Sequence, residues 1–135
     1  MNQDHLKEEV INIIDNDHVG VLSTMQENKP HARYMMFFHD ELQLYTATNK
    51  KTHKVDEIED NPNVHVLLGF NENEKKYVEL QGKATLVNDD QLKQKYWNDQ
   101  LMPWLDGPND PEYCLLKIDP EHIELIEGNN ETTIM

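Results

Sequence analysis

Between Val19 and Ala47 three extended segments follow one another with only turns between them. Val19-Gly20-Val21-Leu22-Ser23-Thr24 reads as a short strand, Glu27-Asn28-Lys29 as a turn, and Ala32 to Phe38 as a second strand. A turn at Asp40-Glu41 then leads into the alternating Leu42-Gln43-Leu44-Tyr45-Thr46-Ala47. Links this short let neighbouring strands pair only antiparallel, because a parallel pair needs a crossover of about a dozen residues or more. An antiparallel meander is therefore expected in the first third of the chain.

The remaining segments extend that pattern. Leu6, Val10, Ile13 and Ile14 recur at helical spacing among Lys7, Glu8, Glu9 and Asn12, which predicts an amphipathic helix ending near Asp15-Asn16. Thr52 is placed to cap a short helix carrying Val55 and Ile58, stopped by Asn61-Pro62. Val64 to Phe70 is apolar apart from His65 and suits a buried strand, and Asn71 to Lys76 reads as a polar hairpin loop. Tyr77 to Val87 is a long strand with Val78, Leu80, Ala84 and Leu86 on one face and Glu79, Gln81, Lys83 and Thr85 on the other. Gly82 interrupts it, as at a bulge or a close backbone approach. Asp89-Asp90 opens a helical region through Leu92, Tyr96 and Trp97, and a loop rich in Pro and Asp follows. The last strand is Tyr113 to Ile126, bent at Asp119-Pro120, with a frayed tail expected from Gly128 onward. Six strands, about three helices and no recurring crossover point to an α+β fold. The simplest closure is a six-stranded antiparallel split β-barrel with flanking helices, in one domain spanning 1–135.

The formal charge of −14 argues against nucleic acid or an anionic membrane as a partner. No run approaches the roughly 18 apolar residues of a membrane span. The acidic, polar start MNQDHLKEEV does not read as a signal peptide, and the one cysteine, Cys114, allows no intrachain disulfide. A reducing, cytoplasmic setting is expected, with Cys114 a small core residue.

Against this acidic background, Thr48 to Lys54 carries Lys50, Lys51 and Lys54 and no acid. Ammonium groups, the hydroxyls of Thr48 and Thr52 and the amides of a helix start all favour a phosphate. The same segment also reads as a solvated loop with solubilising lysines. It lacks the glycines of a nucleoside triphosphate loop. Arg33 is the only arginine and sits on a strand among Tyr34, Met35, Met36, Phe37 and Phe38. Its guanidinium must reach solvent, a carboxylate or a bound anion. Strand amides beside Met35 and Met36 could bond the edge of a planar heterocycle, with the two side chains against its face; ordinary core packing is the alternative. His5, His18, His31, His39, His53, His65 and His122 include no pair at helical ligand spacing, so no metal site is expected. Ser23, the only serine, has no glycine elbow, and no residue presents itself as a catalytic acid or base.

In order and spacing these segments resemble the pyridoxamine 5'-phosphate oxidase-like FMN-binding split-barrel family, and in particular its short general stress protein branch. Three stretches carry the likeness. They are Gly20-Val21-Leu22-Ser23-Thr24 with Pro30-His31-Ala32-Arg33-Tyr34-Met35, then Leu44-Tyr45-Thr46-Ala47-Thr48 with Thr52 and Lys54, and finally Tyr77-Val78-Glu79-Leu80-Gln81-Gly82-Lys83-Ala84. The resemblance implies FMN at a homodimer interface. Arg33 and Lys54 would face its phosphate with Thr52 beside them, backbone from Arg33 through Tyr34 and Met35 to Met36 would line the isoalloxazine edge, and Tyr45, Thr46 and Thr48 would flank the ring or ribityl chain. It further implies a flavin-dependent oxidoreductase with an unknown small-molecule substrate, or else a protein that sequesters flavin or senses a ligand. Tyr34 and His31 are the nearest polar groups for catalysis. A deazaflavin or haem stays open as the ligand, and vitamin B6 oxidation is not expected, since the basic C-terminal substrate segment of true oxidases is absent. The chain departs from the branch at two points: Tyr34 stands in place of the usual proline, and Ile123-Glu124-Leu125-Ile126 lacks the tryptophan that often stacks on flavin there.

Overall fold

A computed structural model describes residues 3–73 and 75–135. Three α-helices, α1 (Gln3–Asn16), α2 (His53–Asp60) and α3 (Asp90–Tyr96), accompany seven strands. These are β1 (Val19–Gln26), β2 (Lys29–Asp40), β3 (Gln43–Asn49), β4 (Asn63–Asn71), β5 (Lys76–Val87), β6 (Tyr113–Glu127) and β7 (Asn130–Thr133). Every pairing is antiparallel, in the order β3-β2-β1-β4-β5-β6-β7. A further pairing of β3 with β6 closes the first six strands into a barrel. The expected split-barrel α+β fold is thus the observed one.

Alternation builds the interior. Leu22, Phe37, Leu44, Val66, Leu68, Val78, Leu80, Leu116, Ile118 and Ile123 are fully buried inside the barrel, and Leu6, Val10 and Ile14 of α1 pack onto the same cluster. A second cluster lies on the outer side of β3 and β6, where Tyr45, Ala47, Tyr113 and Leu115 meet Tyr96, Leu101 and Leu105. Tyr96 stacks between Phe38 and Tyr45, at centroid distances of 5.5 and 4.9 Å. Asp89 starts α3 as expected, accepting from the amides of Gln91 and Leu92. Cys114 is buried. Among the described residues no helix is long and apolar enough to cross a membrane.

Gly82 marks the anticipated irregularity. The β5–β6 register shifts between Gln81 and Gly82, opposite Pro120, and a Cβ on Gly82 would collide with the Asp119 carbonyl.

Three expectations need correction. The tail does not fray. Gly128, at φ +59°, turns the chain so that β7 pairs with β6, and Ile134 is buried in the main core, its amide donating to the Ile123 carbonyl at 2.8 Å. The sheet therefore has a seventh strand outside the closed six. Val64 to Phe70 is not buried throughout: Leu67 and Phe70 point outward, because a barrel strand has one solvent-facing side. Leu86 also leaves the inward row and is partly exposed. The loop expected at Asn71–Lys76 includes Glu74, which lies outside the described residues, as do Met1 and Asn2 of the polar N-terminus.

Candidate functional site

Strands β2 and β3 run together only from Asp40↔Gln43 to Phe37↔Thr46. Both continue past that point, β2 back to Lys29 and β3 on to Asn49. There β2 keeps β1 as its neighbour and β3 keeps β6, so the two strands part. Among the described residues, the separation leaves one edge of β2, including residues 33–36, without a strand partner. Helix α2 starts immediately beyond the far end of β3.

Polar side chains gather at this opening. Cross-strand partners share a face, so Arg33 lies on the face of Leu22, and His31 on that of Thr24. The side chain of Arg33 is 19% exposed, that of Glu57 on α2 only 4%. Glu57 collects three donors: the Thr24 hydroxyl and Arg33 Nη2 (3.1 Å) reach Oε2, and His31 Nδ1 lies 3.0 Å from Oε1. Burial raises the Glu57 carboxyl pKa, but hydrogen bonds from Thr24 and His31 and the charge of Arg33 outweigh it and hold the group below its ordinary value. Arg33 Nη1, by contrast, is buried and has no hydrogen-bond partner among the described residues. A buried charged donor without an acceptor is costly.

Lys54 completes the cluster. Its Nζ donates to Thr48 Oγ1 at 2.7 Å and to Thr52 Oγ1 at 3.2 Å. Burial, and then the like charge of Arg33, lower its pKa. Thr52 is the N-cap residue of α2, but its hydroxyl does not cap the helix; it donates to the Asn49 carbonyl at 3.0 Å. The side-chain capping expected there is therefore corrected: the hydroxyl serves the loop and Lys54. Lys50 and Lys51 are exposed, and Lys51 makes a loose pair with Glu112 at 3.8 Å. The two readings of the lysine loop thus divide by residue, Lys54 turning inward and its two neighbours outward.

Arg33, Thr48, Thr52 and Lys54 come together here. Met35 packs partly buried against the main core, and Tyr34 is 79% exposed on the opposite face of β2. Thr46 is buried, its hydroxyl donating to the Met36 carbonyl. The ring of Tyr45 faces the second cluster, on the other side of the sheet from Thr46 and Thr48. Ile126 is buried at the end of β6 between Tyr77 of β5 and Glu131 of β7. Glu57 and Thr24 were not evident from sequence reading. One signal was available: Glu57 lies three residues after Lys54, so the two share a face of α2.

This arrangement gathers the groups that could hold an anion. It has a guanidinium nitrogen without an acceptor, a desolvated ammonium, two hydroxyls and the positive end of α2. The family profile described as "Pyridoxamine 5'-phosphate oxidase like" matches residues 5–135. The chain belongs to the pyridoxamine 5'-phosphate oxidase-like family. Within it, the chain is 47% identical over 136 residues to General stress protein 26 of Bacillus subtilis (strain 168), a match covering 99% of this chain and 97% of that protein. The crystal structure of General Stress Protein 26 from Bacillus anthracis str. Sterne superposes with a TM-score of 0.87 at 48% identity, covering 90% of this chain and 94% of that one. A more distant family fold is that of a pyridoxamine 5'-phosphate oxidase-related, FMN binding protein from Nostoc punctiforme PCC 73102. It aligns at 19% identity with a TM-score of 0.62, covering 97% of this chain and 84% of that one.

Proposed function

We propose that this chain binds FMN through the cluster at the β2–β3 opening and serves as a flavin-dependent oxidoreductase, with a stress association suggested by its Bacillus relative. The observation that carries this reading is the unpartnered, buried Nη1 of Arg33 beside the desolvated Lys54. A phosphate monoester supplies the acceptor that Arg33 Nη1 lacks and a counter-charge for Lys54, whose Nζ otherwise meets only the neutral hydroxyls of Thr48 and Thr52. The family and its FMN-binding member favour flavin among phosphate esters. Hydride transfer would be the chemistry that FMN supplies when bound. The chain's own part is to hold the phosphate with Arg33, Lys54, Thr48 and Thr52 and to offer the unpaired edge of β2 at Arg33 to Met36 to the ring.

A second copy of the chain is the partner in this reading. Val19, Tyr34, Leu67 and Phe70 form an exposed apolar face around a shallow cavity of about 590 Å³, continuous through Tyr34 with the strand that carries Arg33. Sedimentation at micromolar concentration should give a dimer. Flavin storage without turnover is the second reading, favoured by the burial of Ile126 where a stacking aromatic is expected.

Titration of FMN against riboflavin tests the site. Arg33→Ala combined with Lys54→Ala should weaken FMN binding by about 2 kcal/mol or more, given about 1.5–3 for each charged hydrogen bond, and leave riboflavin unaffected. An unchanged FMN affinity overturns the phosphate assignment. Steady NAD(P)H oxidation with added FMN separates the oxidoreductase from the flavin store.

A further inference from the structure

Resting on the phosphate reading above, we propose that Glu57 is a positioning residue of the anion site: it locks the Arg33 guanidinium by one edge so that the other edge faces the ligand. Arginine and carboxylate commonly pair with two parallel bonds. Here the pairing is single. Glu57 Oε2 takes only Nη2 of Arg33, sharing that oxygen with the Thr24 hydroxyl, while Oε1 is turned to His31. Two other donors thus share the carboxylate with Nη2, and Nη1 is left buried without a partner among the described residues. The guanidinium is planar and rigid, so fixing Nη2 also fixes the direction of Nη1. Lys54 and Glu57 lie three residues apart on α2, so one helix carries both a cation for the anion and the anchor of the second cation.

Arg33 is the only arginine of the chain, so protein labelled with 15N-arginine yields guanidinium signals from this one side chain. In the ligand-free protein the two Nη groups should give separate signals, and FMN but not riboflavin should shift them. Glu57→Gln should average these signals and lower the preference for FMN over riboflavin by about tenfold, the equivalent of one charge-assisted bond, with riboflavin affinity unchanged. Glu57→Asp keeps the charge but shortens the reach, and it should show the same loss. It also serves as the second variant if the first does not fold. Retained separate signals with a wild-type preference in either folded variant overturn the positioning role. A preference that rises means that Glu57 competes for Arg33 and overturns it equally. A wild-type protein that binds FMN no better than riboflavin sinks the phosphate reading and this role with it, whereas loss of preference confined to the variants supports both.

Discussion

The hydroxyl of Thr46 donates to the main-chain carbonyl of Met36 at 2.7 Å, right where the β2–β3 ladder ends at Phe37↔Thr46. This bond occupies a carbonyl that the parting strands would otherwise leave bare. Thr46→Val keeps the shape and removes the donor, and should cost about 1–3 kcal/mol, the usual penalty for a buried group left unsatisfied. Urea unfolding reads it directly. An unmoved midpoint would mean that the bond does not hold the strands where they part.

Lys54 sits in a place that disfavours its charge, first through burial and then through Arg33, and its pKa is lowered. A lysine whose folded pKa is depressed weakens folding while both states are protonated, and the cost disappears as pH rises through the folded and then the unfolded value. Lys54→Met should therefore raise stability at neutral pH while weakening FMN binding, the usual trade between stability and a strained site. The difference in melting temperature between variant and wild type should narrow as pH climbs through the lowered folded value towards the ordinary 10.5. Equal melting temperatures at pH 7 would count against a strained ammonium.

Glu57 has the opposite linkage. Although burial pushes its carboxyl pKa up, Thr24, His31 and Arg33 together hold it below the ordinary 4.5. The unfolded chain then takes up a proton first, so the stability from this group is fully present above that value. It is lost as pH falls through the lower folded one. Replacing Glu57 with Gln should flatten this part of the acid limb in melting curves, so that the gap between variant and wild type closes as pH drops below 4.5. A gap independent of pH would show that the charge of Glu57 contributes nothing to folding.

At the barrel bulge, Gly82→Ala should destabilise by about 2 kcal/mol or more, because the added methyl meets the Asp119 backbone and the backbone there has little freedom to yield. The same substitution at Gly128 has open space around its Cβ but a φ of +59°, and should cost about 1 kcal/mol by strain alone. Thermal unfolding of the pair should rank Gly82→Ala below Gly128→Ala, and the reverse order would mean the bulge relaxes freely.

Much of this protein follows from sequence alone. The helical spacing of Leu6, Val10 and Ile14, the Asp89 cap and the Gly82 interruption each follow from local chemistry, and each is found where that chemistry puts it. So do the isolation of Arg33 as the sole arginine and the spacing of Thr48, Thr52 and Lys54. Tertiary structure alone decided which of 26 acidic residues meets Arg33, that β2 and β3 part at Thr46, and that the tail becomes β7. The physical reason is that a period of two along a strand fixes which face a residue takes, but not which distant segment lies across from it. The Glu57 anchor, 24 residues from Arg33, exists only once α2 closes over the end of the barrel.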